Sequence, residues 1–102
     1  MKAITAVEQT LIDLLKIDSP TGGEHELANA VARWAEDAGW RVRRHGLCLI
    51  IDRPAQPGPR MGFFGHFDVV TNQEMAPISL DEQTIYGPGA SDMKSGLAVM
   101  LE

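Results

Sequence analysis

Residues 65–70, GHFDVV, and residues 87–96, GPGASDMKSG, are the two stretches that decide the fold of this chain. The first stretch places a histidine and an aspartate, His66 and Asp68, at the end of a predicted strand. The second places Asp92 just after a glycine loop, where a predicted helix begins. Because α/β sheets keep their reactive groups at strand ends, we expect an α/β fold with its site at these residues.

The composition is typical of one soluble globular domain. The chain has 102 residues, of which 44% are hydrophobic and 23% are charged, and its net charge is −5. An acidic chain lacks the basic face that nucleic acid requires, and it has no attraction to anionic membranes. No apolar run is long enough to span a bilayer, and no signal-peptide core follows the N-terminus. We therefore expect a cytoplasmic protein.

Helical spacing and turn residues predict two helices at the start of the chain. Apolar residues three and four apart predict an amphipathic helix over residues 4–17. Thr21 and Glu24 match a capping box for the second helix, whose apolar stripe runs to Ala38 and should end at Gly39.

Strand patterns follow these helices. We expect a half-exposed strand at residues 40–45, a strand buried on both faces at 47–51 and another buried strand at 61–67. Residues 78–80 and 84–86 should form a short hairpin. A proline loop is predicted over residues 54–59 and an irregular segment over residues 71–77. Cys48, the single cysteine, is interpreted as a packed core thiol. The arginines of the first strand favour a solvated edge, with a substrate patch as the alternative.

The last predicted helix begins near residues 91–93 and runs through Leu101 without any stop signal. We expect that the chain is cut inside this helix. Its unfinished apolar surface should then favour self-association.

The chemistry predicted for the two stretches is metal binding. Residues i and i+2 of a strand face the same way, so the Asp68 carboxylate can accept one N–H of His66 and leave the other ring nitrogen free for a metal. Asp92, at a helix N-terminus, could bridge two cations with its two oxygens. A core histidine bonded to its neighbour would also explain His66 and Asp68 taken alone. A dinucleotide loop is excluded, because Asp92 stands where its third glycine is needed.

The two stretches resemble the signatures G-H-x-D-V-V and G-R-G-x-x-D-M-K-x-G of the M20 family of zinc-dependent peptidases and deacylases. Residues 19–24, SPTGGE, are similar to the turn between that family's first two helices. The resemblance implies that His66 binds one metal, that Asp92 bridges two, and that Asp68 is a catalytic residue that orients His66. It implies two zinc ions per complete site, with cobalt as an alternative metal. Pro88 stands where the family usually has arginine.

The resemblance also implies a three-layer α/β sandwich of helices around a mixed sheet, incomplete in this chain. Residues 1–102 would be the N-terminal part of the catalytic domain, without the smaller dimerisation domain, the general-base glutamate and the remaining ligands. The chain alone is therefore expected to be inactive, and a homodimer is expected only of a full-length protein.

The implied reaction is hydrolysis of amide bonds in N-acyl amino acids or small peptides. Residues 80–87, LDEQTIYG, look most like the succinyl-diaminopimelate desuccinylases, with acetylornithine deacetylases and carboxypeptidase-like members as rivals. The competing hypothesis is a truncated, non-catalytic remnant with weak or no metal binding.

Overall fold

The computed structural model describes residues 4–53, 58–70, 78–81 and 83–102. Its elements in chain order are α1 (Ala6–Leu15), α2 (His25–Asp37), β1 (Arg41–His45), β2 (Cys48–Asp52), β3 (Ser79–Leu80), β4 (Ile85–Tyr86), a π-helical turn (Ala90–Lys94) and α3 (Ser95–Leu101). The predicted proline loop lies mostly outside the described residues, and the irregular segment at residues 71–77 lies wholly outside them.

Helix α1 confirms the first predicted helix within shorter bounds. The Thr5 hydroxyl caps it by accepting a hydrogen bond from the Glu8 backbone N–H at 3.2 Å. Its apolar face buries Ile12, Leu14 and Leu15. None of the helices in the described ranges is long and apolar enough to cross a membrane.

The start of α2 differs from the predicted capping box. Glu24 occupies the N-cap position but makes no side-chain cap. Its carboxylate instead accepts from the backbone N–H of Gly22, in the turn before the helix. The Thr21 hydroxyl does not cap the helix, because it donates to the distant Asp68 carboxylate. The capping-box prediction is therefore wrong, because a tertiary partner replaces the local one.

The end of α2 confirms the predicted glycine stop. Gly39 has φ 91°, a left-handed conformation that glycine adopts without a Cβ penalty. Its N–H donates to the carbonyl of Glu36 at 3.0 Å, and the N–H of Trp40 donates to that of Ala35 at 2.9 Å. These two bonds are the paired bonds of a Schellman motif, and they direct the chain into β1.

Strands β1 and β2 form an antiparallel hairpin, paired from Arg41 with Asp52 to His45 with Cys48. Leu49 and Ile51 pack against the hydrophobic core. Cys48 is exposed. The core-thiol interpretation and the predicted burial of this strand on both faces are therefore wrong. An apolar run favours burial of both strand faces, but the described part of the chain covers one face of this strand only.

Residues 61–67 are not a strand, which corrects the prediction of a buried one. Phe64 is 93% exposed, and the nearby backbone pairing is a single parallel bridge between Pro20 and Val69. The described residues form two separate two-stranded antiparallel sheets, the second of which is the predicted hairpin β3–β4. The α/β class is confirmed. The mixed sheet of a three-layer sandwich is not present among the residues that the structure describes.

The hydrophobic core joins the three helices. Its fully or nearly buried members are Leu14, Leu27, Val31, Leu97 and Ala98. They come from α1, α2 and α3, so burying them fixes α3 against the first two helices. This packing positions the turn that carries Asp92.

The exposed face of the β1–β2 hairpin carries an ion cluster around Asp52. Arg41 makes two hydrogen bonds of 2.8 Å to this carboxylate, and Arg43 makes one of 3.1 Å. The hydrogen bonds from Arg41 and the charges of Arg41, Arg43 and Arg60 lower the pKa of Asp52 from 3.8 to about 2. The pairing agrees with the interpretation of these arginines as a solvated strand edge.

We expect this cluster to give the chain an acid-sensitive contribution to stability. The pKa of Asp52 is lower in the folded chain than in the unfolded one, so the contribution is complete above pH 3.8 and is lost as the pH falls through about 2. Urea unfolding between these pH values should show a smaller pH dependence for Asp52→Asn than for wild type. The exposed Asp37, at the end of α2, supplies the control Asp37→Asn. An Asp52→Asn variant with the wild-type pH dependence would contradict the prediction.

Candidate metal centre

The imidazole of His66 lies between two carboxylates. Its Nδ1 is 3.1 Å from Oδ1 of Asp68, and its Nε2 is 3.1 Å from Oδ1 of Asp92. The same Nδ1 is also 3.1 Å from the backbone carbonyl oxygen of Asp68. The structure therefore brings together all three residues that the sequence singled out, although residues 61–67 are not a strand. Their roles in metal binding stay predictions.

The backbone around Asp92 differs from the expectation. Asp92 has φ −120° and ψ 99°, which is not helical, and it precedes the first residue of α3 by three positions. The bond between Asp92 and Met93 is a cis peptide. The prediction that Asp92 opens the last helix is therefore wrong. Its side chain is 82% exposed, so the carboxylate is open to a cation from solution.

Two glycines allow the two motifs to touch. A Cβ on Gly65 would lie 2.7 Å from Cε of Met93, which is too close for any other residue without a shift. Gly89 has φ +80°, and a Cβ there would lie 2.5 Å from a methyl group of Val69. The backbone N–H of His66 also donates to Sδ of Met93 at 3.3 Å. The glycines of both motifs thus serve the close approach that places Asp92 beside His66.

Lys94 anchors the second motif to the end of α1. Its side chain is only 2% exposed, and its Nζ donates to the carbonyls of Leu14 at 3.0 Å and Ile17 at 2.7 Å. Carbonyls at a helix C-terminus lack helical partners and favour a cation. Burial lowers the pKa of Lys94, and the charge of Asp18 opposes this effect. The sequence alone indicates no role for Lys94, because its partners are distant in the chain.

Residues 19–21 anchor the first motif. Ser19 is buried, and its hydroxyl donates to the carbonyl of Phe67. The backbone N–H of Val69 donates to the carbonyl of Ser19 at 2.7 Å. The Thr21 hydroxyl donates to Oδ2 of Asp68 at 3.1 Å. The turn between α1 and α2 is therefore part of the site. From the sequence alone, residues 19–24 were known only to be similar to a turn of the family.

The donor atoms fit a divalent metal such as zinc. Zinc binds imidazole nitrogen and carboxylate oxygen, and a ligating histidine usually gives its second N–H to a carboxylate or carbonyl. Here Asp68 occupies Nδ1, and Nε2 faces Asp92. Among the described residues, no group of three or more His, Cys, Asp and Glu side chains is arranged to hold a metal. The described residues thus offer two ligands of the three or more that a protein zinc site requires.

The side chains of the three residues are all partly or largely exposed to water. The His66 side chain is 48% exposed. A separate apolar cleft of about 690 Å³ lies between α1, the β3–β4 hairpin and the turn before α3. None of the three residues lines this cleft. The described residues alone therefore do not exclude water from the candidate metal centre.

Comparison with known proteins finds a family match over the site. Residues 62–102 match the sequence model of peptidase family M20/M25/M40. A protein of Aeropyrum pernix, named as a LysW-lysine/LysW-ornithine hydrolase, is 33% identical over 91 residues, which cover 88% of this chain and 25% of that protein. A succinyl-diaminopimelate desuccinylase of Ruegeria pomeroyi is 34% identical over 101 residues, covering 87% of this chain and 27% of the relative. One of Legionella pneumophila is 31% identical over 108 residues, covering 96% of this chain and 29% of the relative.

These matches show the family to which the chain belongs. One relative is named a hydrolase and two are named desuccinylases, and their similarity extends over most of this chain. The family model covers both motifs. The chain belongs to peptidase family M20, as part of an M20 domain. It spans between 25% and 29% of the length of these three relatives.

Proposed function

We propose that this chain is part of a metal-dependent amidohydrolase in which His66 and Asp92 are metal ligands and Asp68 orients His66. The observation that supports this most is the position of the His66 ring, with Nδ1 on Asp68 and Nε2 3.1 Å from Asp92. Membership of peptidase family M20 supports the same chemistry.

The roles of the three side chains follow from their contacts. Asp68 keeps a proton on Nδ1 of His66, so that Nε2 carries the free lone pair that a ligand needs. Asp92 supplies negative charge beside that lone pair. A zinc ion held here would activate water for attack on an amide carbonyl and polarise that carbonyl. The general base and the remaining ligands would come from other parts of a longer protein.

The substrate that we propose is an N-acyl amino acid, with N-succinyl-diaminopimelate as the first candidate. Two of the relatives reported above are named succinyl-diaminopimelate desuccinylases, at 34% and 31% identity. N-acetylornithine and small peptides are the alternatives that a substrate panel should contain. Pro88, in place of the usual arginine of the motif, removes one basic group near the site and is a reason to test acyl groups of different charge.

The architecture that we propose for the whole protein is a three-layer sandwich around a mixed sheet. Residues 1–102 would form its N-terminal part, and a smaller domain would support a homodimer. The exposed apolar side chains of Met61, Phe63 and Phe64 support this proposal, because a neighbouring strand and a helical layer would cover them. Zinc, a cytoplasmic location and the absence of nucleic-acid and membrane partners belong to the same proposal.

The gene product isolated from its native cells tests the proposed function. We expect an intact mass several times the 11.1 kDa of this chain, and chelator-sensitive hydrolysis of N-succinyl-diaminopimelate or another N-acyl amino acid. The 102-residue chain prepared alone should hydrolyse none of these substrates with zinc or cobalt added.

A different outcome would favour the second candidate, a non-catalytic remnant. The observation in its favour is that, among the described residues, no group of three or more His, Cys, Asp and Glu side chains is arranged to hold a metal. A native product with a mass near 11.1 kDa that is folded, metal-free and inactive would support the remnant and contradict the hydrolase.

A further inference from the structure

We propose that Thr21 is a positioning residue of the candidate metal centre: its hydroxyl holds the Asp68 carboxylate in the orientation that fixes His66. The inference rests on the proposed function of His66 and Asp92 as ligands. It adds a residue from the turn between α1 and α2, which lies 47 positions away from Asp68 in the chain.

The two oxygens of the Asp68 carboxylate have different partners. Oδ1 lies 3.1 Å from Nδ1 of His66, and Oδ2 accepts from the Thr21 hydroxyl at 3.1 Å. With a partner on each oxygen, rotation of the carboxylate breaks at least one hydrogen bond. A continuous series of contacts therefore runs from Thr21 through Asp68 and His66 to Asp92.

The backbone on both sides of this contact is fixed. Val69 donates its N–H to the carbonyl of Ser19 at 2.7 Å, and Pro20 pairs with Val69 in a parallel bridge. Ser19, which is 2% exposed, donates its hydroxyl to the carbonyl of Phe67. These bonds hold the two residues before Thr21 against Phe67 and Val69, which flank Asp68. The hydroxyl of Thr21 is therefore presented to the carboxylate by backbone that does not depend on it.

An exposed carboxylate needs such a restraint. The side chain of Asp68 is 37% exposed, so without Thr21 water can take its place on Oδ2 and the side chain regains rotamer freedom. Partners of a ligating histidine typically affect metal affinity by about 10–100-fold. Because Thr21 acts one step further out, we expect an effect of roughly three- to tenfold.

Thr21→Val and Thr21→Ser are the matched variants, since valine keeps the shape of threonine and serine keeps the hydroxyl. Thr21 is exposed, so both should unfold at the wild-type urea midpoint. The first measurement needs no metal: NMR side-chain couplings of Asp68 should report one χ1 rotamer in wild type and Thr21→Ser, and rotamer averaging in Thr21→Val. The second is zinc titration, in which Thr21→Val should bind roughly three- to tenfold more weakly and Thr21→Ser within about twofold of wild type.

A double-mutant cycle with Asp68→Asn separates positioning from a general structural role. If Thr21 acts through Asp68, Thr21→Val should cost no further zinc affinity when Asp68→Asn is already present. An equal loss in both backgrounds would overturn the proposal, and so would an unchanged Asp68 rotamer in Thr21→Val.

The two readouts also separate this inference from the proposed function. If wild type binds no zinc but Thr21→Val releases the Asp68 rotamer, the ligand proposal fails for this chain and the positioning of Asp68 by Thr21 is supported. If zinc binding depends on His66 but Thr21→Val changes neither readout, the positioning role fails alone.

Discussion

Replacing Lys94 by methionine is expected to lower the free energy of unfolding by roughly 1–3 kcal/mol. Methionine can fill the space of the lysine stem, but it cannot donate to the carbonyls of Leu14 and Ile17. The carbonyl of Leu14 still accepts a hydrogen bond from the backbone N–H of Ile17 at 3.2 Å. The variant therefore mainly affects the carbonyl of Ile17, which loses the hydrogen bond from Lys94. The end of α1 also loses its buried cation.

Equilibrium urea unfolding measures this loss, and Lys16→Met is the matched control. Lys16 lies at the same end of α1, but it is exposed to water. Its replacement should change the free energy of unfolding by no more than about 0.5 kcal/mol. Equal stabilities of Lys94→Met and Lys16→Met would show that the buried ammonium does not stabilise the chain. That result would agree with the view that burying the charge costs as much as its hydrogen bonds contribute.

Replacing His66 by alanine is expected to weaken zinc binding more than about 100-fold. Residues that only contact a metal-ligating side chain usually change metal affinity by about 10–100-fold, and His66 is itself a proposed ligand. The variant removes the one imidazole nitrogen that faces Asp92. Asp92→Asn should have a similar effect, because an amide keeps the shape of the carboxylate but loses its charge. Isothermal titration of zinc into the chain measures both affinities.

The chain contains its own controls for this experiment. His25 on α2 and His45 on β1 are exposed histidines, remote in sequence from both motifs. His25→Ala and His45→Ala should bind zinc as wild type does. If either control loses as much affinity as His66→Ala, the zinc is bound by surface histidines and the assignment of the site is wrong.

Local patterns predicted the helices and the relation of His66 to Asp68 and Asp92. Helical spacing and Gly39 depend on interactions within a few residues, so the sequence alone identified α1 and the end of α2. The two motifs predicted which side chains meet. They did not predict the turn conformation of Asp92, which lies where the two motifs approach so closely that a Cβ on Gly65 would lie 2.7 Å from Cε of Met93.

Tertiary partners explain the predictions that were wrong. Thr21 has the local pattern of a helix cap, but Asp68 offers a partner 47 positions away. The sequence indicates no partner for Lys94, because the carbonyls that it contacts lie 80 and 77 positions away. The apolar pattern of residues 61–67 reports a preference for burial. Whether a strand forms depends also on neighbouring strands, which the described residues do not provide.

Anomalous scattering at the zinc edge, from a crystal of the zinc-loaded chain, tests whether His66 and Asp92 bind the metal. We expect a peak about 2.0–2.2 Å from Nε2 of His66 and from a carboxylate oxygen of Asp92, with Asp68 still hydrogen-bonded to Nδ1 of His66. A zinc peak bound elsewhere, or no peak beside His66 at a zinc concentration that saturates the chain, would contradict this expectation.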